Sequence, residues 1–262
     1  MFKQFVAYRV LPALNKLLRM ARVKLVPWNA PTRDLGQLID HLKSLGMDFR
    51  TVVDVGVAHG SPGLHDRCRN ATFFLVDPVP SLKHRLDELA ERLGGTAFNV
   101  AAGADDGEMS FFVHTDTSGS SAYPQQEGGL LDGEEVKVPV RRLDGLIPAG
   151  IARPALLKID TQGAELEVVR GATRLLEEID VIVAETSLHE MRKGTPEIGE
   201  VIAEMARLGF VPYELIEGFY RPVDNALGQI DIAFVPRDSE LRAHRAAFSP
   251  EQAEQYARRY AK

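Results

Sequence analysis

Cysteine is nearly missing: Cys68 is the single one in 262 residues. One thiol closes no internal disulfide and builds no cysteine zinc site, and its scarcity suits a reducing compartment. Long apolar runs are missing too. The apolar opening is cut by Lys3, Arg9 and Lys16, far short of the ~18 uninterrupted apolar residues of a membrane helix. Arg9 also splits what would be the apolar centre of a secretory leader, so none is expected. Acid is absent from residues 1–30, which hold six Lys/Arg (Lys3, Arg9, Lys16, Arg19, Arg22 and Lys24). The remaining chain therefore carries 25 − 37, or −12, against a whole-chain net charge of −6. So acidic a body argues against general nucleic-acid binding. Internal repeats and low-complexity tracts are also lacking.

What is present is apolar material, 45% of the chain, enough for one substantial core and about one to two domains. Residues 4–26 read as a basic amphipathic helix, suited to anionic lipid or to docking on its own domain or a second copy in a homo-oligomer. The expected location is therefore cytoplasmic and peripheral to a membrane. A firmer helix covers 33–45, with Leu35, Leu38, Ile39, Leu42 and Leu45 at helical spacing and Gly46 as its stop. Strands are predicted at 51–55, 72–76, 96–101, 155–159 and 181–184, with helices at 62–69, 81–93, 164–178 and 196–208 between or after them. Short β runs at 108–113 and 136–140 flank a polar loop, Thr115 to Tyr123, that could close over a ligand. Strands 210–216 and 229–235 are joined by too short a segment for a helical crossover, so they form an antiparallel pair at a sheet edge. The alternation predicts a doubly wound, mostly parallel α/β sheet. Three parts follow: an N-terminal helical extension (1–48), the α/β domain (49–237) and a helical tail (238–262).

Strand one runs into Asp54-Val55-Gly56-Val57-Ala58-His59-Gly60, an Asp-x-Gly-x-x-x-Gly loop at a strand end. The spacing is not the Gly-x-Gly-x-x-Gly of a pyrophosphate cradle. It suits a ligand with a positive centre and no phosphate, such as S-adenosylmethionine, and a Cβ at Gly56 or Gly60 would push that ligand away or forbid the turn. In such sheets ligands bind beyond the carboxyl ends of the strands. Polar residues gather there: Asp54, Asp77, Asn99, Asp160 and Glu185. Asp77, 21 positions after Gly56 and followed by Pro78, is placed to accept from ribose hydroxyls. Asn99, Ala101 and Ala102 leave room for an adenine ring, whose amino group Asp105 or Asp106 could reach. Asp160 could take a proton from a substrate hydroxyl or orient it, with Glu185 and His189 as further base candidates. Glu165 reads as a first-turn acid complementing its helix dipole. Asp160 and Glu185 could share a divalent ion, but neither an adjacent acid pair nor a His-x-His pattern demands one there, so no metal is expected.

Together these residues resemble the FkbM family of S-adenosylmethionine-dependent methyltransferases. The resemblance spans about residues 50–236. It is carried by Val53-Asp54-Val55-Gly56 with Gly60, Asp77-Pro78-Val79-Pro80, Asn99-Val100-Ala101-Ala102-Gly103, Ser120-Ser121, Val138-Pro139-Val140 with Leu143-Asp144, and Leu157 through Glu165 with Val169-Arg170-Gly171-Ala172. Asp77 stands where the family usually has Glu, Thr161-Gln162 where Val-Glu is commoner, and His59 where Asn is commoner. The resemblance implies a Rossmann-like class I methyltransferase fold: a seven-stranded sheet with an antiparallel edge strand and helices on both faces. It implies methyl transfer to a hydroxyl oxygen of a sugar in a glycolipid or polysaccharide, or of a natural product. Ser121, Asp54, His59 and Asp160 join the expected cofactor contacts. The basic N-terminus suits a lipid-linked acceptor. The rival readings are a non-catalytic scaffold that binds the same cofactor and a nicotinamide-dependent oxidoreductase.

Overall fold

The computed structural model describes residues 33–126 and 133–260, with Leu14 beyond them. The helix expected over 4–26 lies outside the described residues, Leu14 apart. The compact unit begins at Arg33. It opens with α1 (Leu35–Ser44), started by a capping box: Asp34 accepts the Gln37 N–H while the Gln37 side chain accepts the Asp34 N–H. Such a cap is worth about 1 kcal/mol. Leu35, Leu38, Ile39 and Leu42 are its buried face.

The main sheet contains β1 (Thr51–Val55), β2 (Thr72–Val76), β3 (Thr96–Phe98), β7 (Ala155–Ile159), β8 (Val181–Ser187), β9 (Phe210–Tyr220) and β10 (Leu227–Pro236). Their spatial order is β3-β2-β1-β7-β8-β10-β9. β1, β2, β3, β7 and β8 run parallel. The expected antiparallel pair is β9–β10 at one edge, and the reversed strand is β10, one in from that edge. Every residue of β1 and β7 is buried, and both strands are apolar apart from Thr51, Asp54 and Lys158. Their period of two still sorts the faces. Val53, Val55, Leu157, Ile159, Ile182 and Phe234 meet α5 (Glu165–Arg170) and α6 (Ile198–Arg207). Val52, Phe73, Leu75, Leu156, Val183 and Ala233 meet α1, α2 (Pro62–His65) and α3 (Lys83–Leu93). A second sheet, β4 (Ala101–Ala102), β6 (Glu134–Arg141) and β5 (Gly107–Val113), is ordered β4-β6-β5. It packs Phe111, Val138 and Val140 on Val79 and Leu82.

Several boundaries differ from expectation; β9, for one, runs to Tyr220 rather than ending at 216. The strand over 96–101 is split, because the Asn99 side chain turns away to donate to the Asp77 and Val79 carbonyls at 2.8 and 3.1 Å. Its second half becomes β4 and pairs with β6. The helix over 62–69 is a single turn, α2. The helix over 164–178 stops at Arg170 and resumes as a 3-10 turn, Leu175–Glu178. Gly171 at the break presses on the Gly103 carbonyl, and Asp144, just after β6 in α4 (Leu143–Leu146), accepts the Arg174 and Leu175 N–H groups. β8 runs past Glu185, which sits inside the strand rather than at its end. The tail holds a 3-10 turn, Glu240–Arg242, and α7 (Pro250–Tyr260), and among the described residues no helix is long and apolar enough to cross a membrane.

The Gly171 contact is testable. A Cβ there would sit 2.0 Å from the Gly103 carbonyl oxygen, whereas one at Gly145 meets nothing within 4 Å. Gly171→Ala is expected to cost about 2–4 kcal/mol and to lower the melting temperature by roughly 4–16 °C. Gly145→Ala should leave it unchanged or slightly raised. Paired thermal melts decide.

Candidate active site

The sheet order reverses between β1 and β7, and the loops leaving them diverge. A cleft of about 510 Å³ opens at that point, where ligands bind in such sheets. Gly56 shapes it, although not by making room for a ligand. Its φ is +81°, and a Cβ would stand 1.7 Å from the Asp160 carbonyl oxygen. The glycine lets β1 and β7 stay in contact where their continuations separate.

Gly56, His59, Gly60, Asp77, Pro78, Ala101, Ala102, Asp105 and Asp160 all line this cleft. Asp77 is buried, and its two carboxylate oxygens accept the Ala58 and Val79 N–H groups at 2.7 and 2.9 Å. Burial raises its pKa against the lowering effect of those amides, helped by the charges of Asp54 and Asp160. Each oxygen keeps a further lone pair for a ligand hydroxyl. Of the two candidate acids beyond β4, Asp105 faces the cleft, while Asp106 accepts the Arg142 N–H. The loop expected to cover the site does form a wall: Thr117, Ser118, Ser120 and Tyr123 line it. His59 ties that wall to the β1 loop through Asp116 O at 3.0 Å and Thr117 Oγ1 at 2.9 Å.

Asp54, Asn99 and Ser121 do not line the cleft; they hold its parts. Ser121 is fully buried and donates to the Gln162 carbonyl at 2.8 Å, fixing Gln162 at φ +55°. Asn99 clamps the β2 loop. Asp54 lies beneath the floor, fully buried, with His65 Nε2 at 2.8 Å and Lys158 Nζ at 3.7 Å. Burial would raise its pKa, but Lys158, His65 and Ser61 outweigh that and lower it. Lys158 sits opposite Asp54 in the β1–β7 register and reaches Asp160 at 3.1 Å. Burial would lower its pKa, yet Asp160 and Asp54 hold it well above the ordinary lysine value. Glu165 accepts from Thr161 and Gly163, closing the loop before its own helix.

Glu185 and His189 do not line this cleft. Glu185 accepts from the side chains of Gln162 at 2.6 Å and Gln229 at 2.8 Å, and Gln162 donates also to Asp160 at 3.2 Å. The amide of Gln162 thus joins the Asp160 and Glu185 carboxylates. No group of three His, Cys, Asp or Glu is placed to hold a metal among the described residues. Burial, Asp160 and Asp231 push the Glu185 pKa well up, favouring its protonated form. Lys158, Gln229, Asp231 and Glu167 were given no site role from sequence, and Gln162 entered only as a departure from the family pattern. For Lys158 a signal existed: period two puts it on the face of Asp160. For Gln229 and Asp231 none did, since only the β8–β10 pairing brings them here.

Burial and Asp160 raise the Asp231 pKa to about 7. An acid with a raised folded-state pKa costs stability between its unfolded pKa, about 4, and that raised value. The contribution of Asp231 to stability should therefore fall as pH rises from about 4 to 7. Asp231→Asn should flatten this slope and gain on the order of 2 kcal/mol at pH 8, read by urea denaturation at several pH values.

The model of the methyltransferase FkbM domain matches residues 54–212. A hexuronic acid methyltransferase, AglP, of Haloferax volcanii is 26% identical over 118 residues, 44% of this chain and 47% of that protein. The chain thus spans about half the length of that curated relative. A methyltransferase FkbM of Methylobacillus flagellatus KT aligns with a TM-score of 0.46 and 15% identity, over 77% of this chain and 48% of the other. A magnesium protoporphyrin IX methyltransferase of Synechocystis PCC 6803, solved with bound SAM, aligns with a TM-score of 0.41 and 11% identity, over 89% and 94%. The matched stretch covers more than half of the chain and runs from Asp54 beneath the cleft, through Asp77 and Asp160 on its walls, into β9; the chain belongs to the FkbM methyltransferase family.

Proposed function

We propose that the protein is an S-adenosylmethionine-dependent O-methyltransferase acting on a sugar hydroxyl of a glycolipid or polysaccharide. The observation that carries this reading is the charge of the cleft. Asp77, Asp105, Asp160 and Glu167 line it, and its one lysine, Lys158, is already held by two carboxylates. Such a wall favours a cationic ligand without phosphate. The small residues Ala101, Ala102 and Gly103 leave an apolar slot for a flat ring. Asp77 would hold the ribose hydroxyls and Asp105 the adenine amino group. The cofactor supplies a methyl group on a sulfonium, a donor needing little activation.

The chain's own work is alignment and proton handling. Fixed walls and a dry site contribute through orientation, for which about 7–11 kcal/mol is available. The acceptor oxygen gains the methyl and gives up its proton, and S-adenosylhomocysteine leaves neutral. Asp160 is the carboxylate at hand for that proton. Lys158 and Gln162 each hold one of its oxygens, which fixes its orientation. Glu185 acts from behind, by positioning Gln162. The sugar acceptor is supported by the relative that methylates a hexuronic acid. The basic residues 1–30 would suit an acceptor carried on an anionic membrane.

Titration calorimetry with S-adenosylhomocysteine tests the reading. Wild type should bind it, and Asp77→Ala should weaken binding roughly 10- to 100-fold, the worth of hydrogen bonds to a charged group. Wild type should also lose affinity as pH falls through the Asp77 pKa, above the ordinary carboxylate range because of burial. No binding by wild type would overturn the proposal. Asp160→Asn should lower kcat by about 10²-fold or more with the acceptor at saturation.

A further inference from the structure

A second cavity of about 500 Å³ adjoins the first, and Gln162 lines both. It lies between the end of β8, the segment 191–195 and the β9–β10 hairpin. The partition is the amide bridge already described: Gln162 donates to Asp160 on one side, and Gln229, which lines the second cavity, donates to the same Glu185 oxygen as Gln162. In-line methyl transfer needs the acceptor to enter from a cavity continuous with the cofactor's, near Asp160. The second cavity shares the Gln162 side chain with the first cleft, so turning that side chain aside would join the two beside Asp160.

Its chemistry differs from that of its neighbour. Four carboxylates line the first cleft; among the described residues none lines the second, which has Arg192 and Arg221 instead. Arg192 is buried and donates to the Tyr123 and Gly119 carbonyls, so its charge is built into the wall. Arg221 sits on the hairpin turn and is gripped by Asp224, at a position that is 44% exposed and outside the lining. Phe219, 46% exposed, gives the cavity an open aromatic face. Gln125 and Gln229 add amides that can both donate and accept.

The geometry points to this cavity as the acceptor subsite for an anionic sugar, a uronic acid residue, with Arg221 as the residue that reads its carboxylate. The inference rests on the methyl-transfer reading. The apolar CH face of a pyranose lies on Phe219, as ring faces do on aromatics. Its hydroxyls meet the amides of Gln125 and Gln229. Its carboxylate takes the guanidinium fork of Arg221 in place of Asp224, a bidentate pairing that lysine does not reproduce.

The experiment is saturation-transfer NMR titration of the full chain with methyl β-D-glucuronide and methyl β-D-glucoside, with S-adenosylhomocysteine affinity measured in parallel. Wild type should bind the glucuronide about tenfold or more tightly than the glucoside. Arg221→Gln should bring the two affinities together, and Phe219→Ala should weaken both. Both side chains are partly exposed, so the fold should survive, and S-adenosylhomocysteine should bind all three proteins alike. Equal affinities in wild type, or a preference that persists in Arg221→Gln, would overturn the assignment while the cofactor site stands. Wild type that fails to bind S-adenosylhomocysteine would overturn the methyl-transfer reading, and this one with it.

Discussion

A lysine ammonium buried at the middle of the sheet sets the terms for the site above it. Lys158 on β7 lies between Asp54 on β1 and Asp160 at the mouth of the cleft. Neither Lys158 nor Asp54 could stay charged at that depth alone, because removing one leaves the other less compensated out of water. The group is retained as a unit, and it spans the two strands from which the crevice diverges. One Asp54 oxygen has no hydrogen bond among the described residues, with the ammonium at 3.7 Å as its compensation. Above this base Asp160 has little freedom, since Lys158 and Gln162 each hold one of its oxygens. Gly56 completes the arrangement by letting β1 lie against the Asp160 carbonyl.

Charge then divides the carboxyl edge of the sheet into two regions. On one side the walls are acidic, and the buried lysine neutralises only part of them. On the other, two arginines and several amides line the cavity beneath the β9–β10 hairpin. Gln162 and Glu185 stand between. An uncharged amide bridges two carboxylates, one of them favouring its protonated form, and so keeps like charges apart. Strand ends supply the floor of both regions, and loops supply the outer walls. The loop wall of the first is pinned at two points, by His59 to the β1 loop and by Ser121 to Gln162.

Strand positions were legible because buried parallel strands are short apolar runs ended by a polar residue, and β1, β2 and β7 begin and end where their composition changes. Helix ends were less legible. The break at Gly171 follows from a contact with Gly103, some seventy residues earlier in the chain, and no local propensity encodes it. The split of strand three likewise depends on where the Asn99 amide finds its carbonyls. Among neighbouring acids, Asp105 and Asp106 are alike in composition, and only the turn before β5 sends one to the cleft and the other to Arg142.

Composition and spacing alone establish the class of fold, the edge of the sheet that carries the chemistry, and the acids that end its strands, since periodicity and strand-ending residues are local properties. Tertiary structure decides which of those acids meets a ligand. Asp77 and Asp160 reach the cleft, Asp54 goes beneath it, and Glu185 withdraws behind two glutamines. It also assembles the second cavity from residues 125, 162, 192, 221 and 229. The physical reason is that a side chain's partners are set by sheet register and by segments far away in sequence, and a buried charge lies where its counter-charges and hydrogen bonds are found.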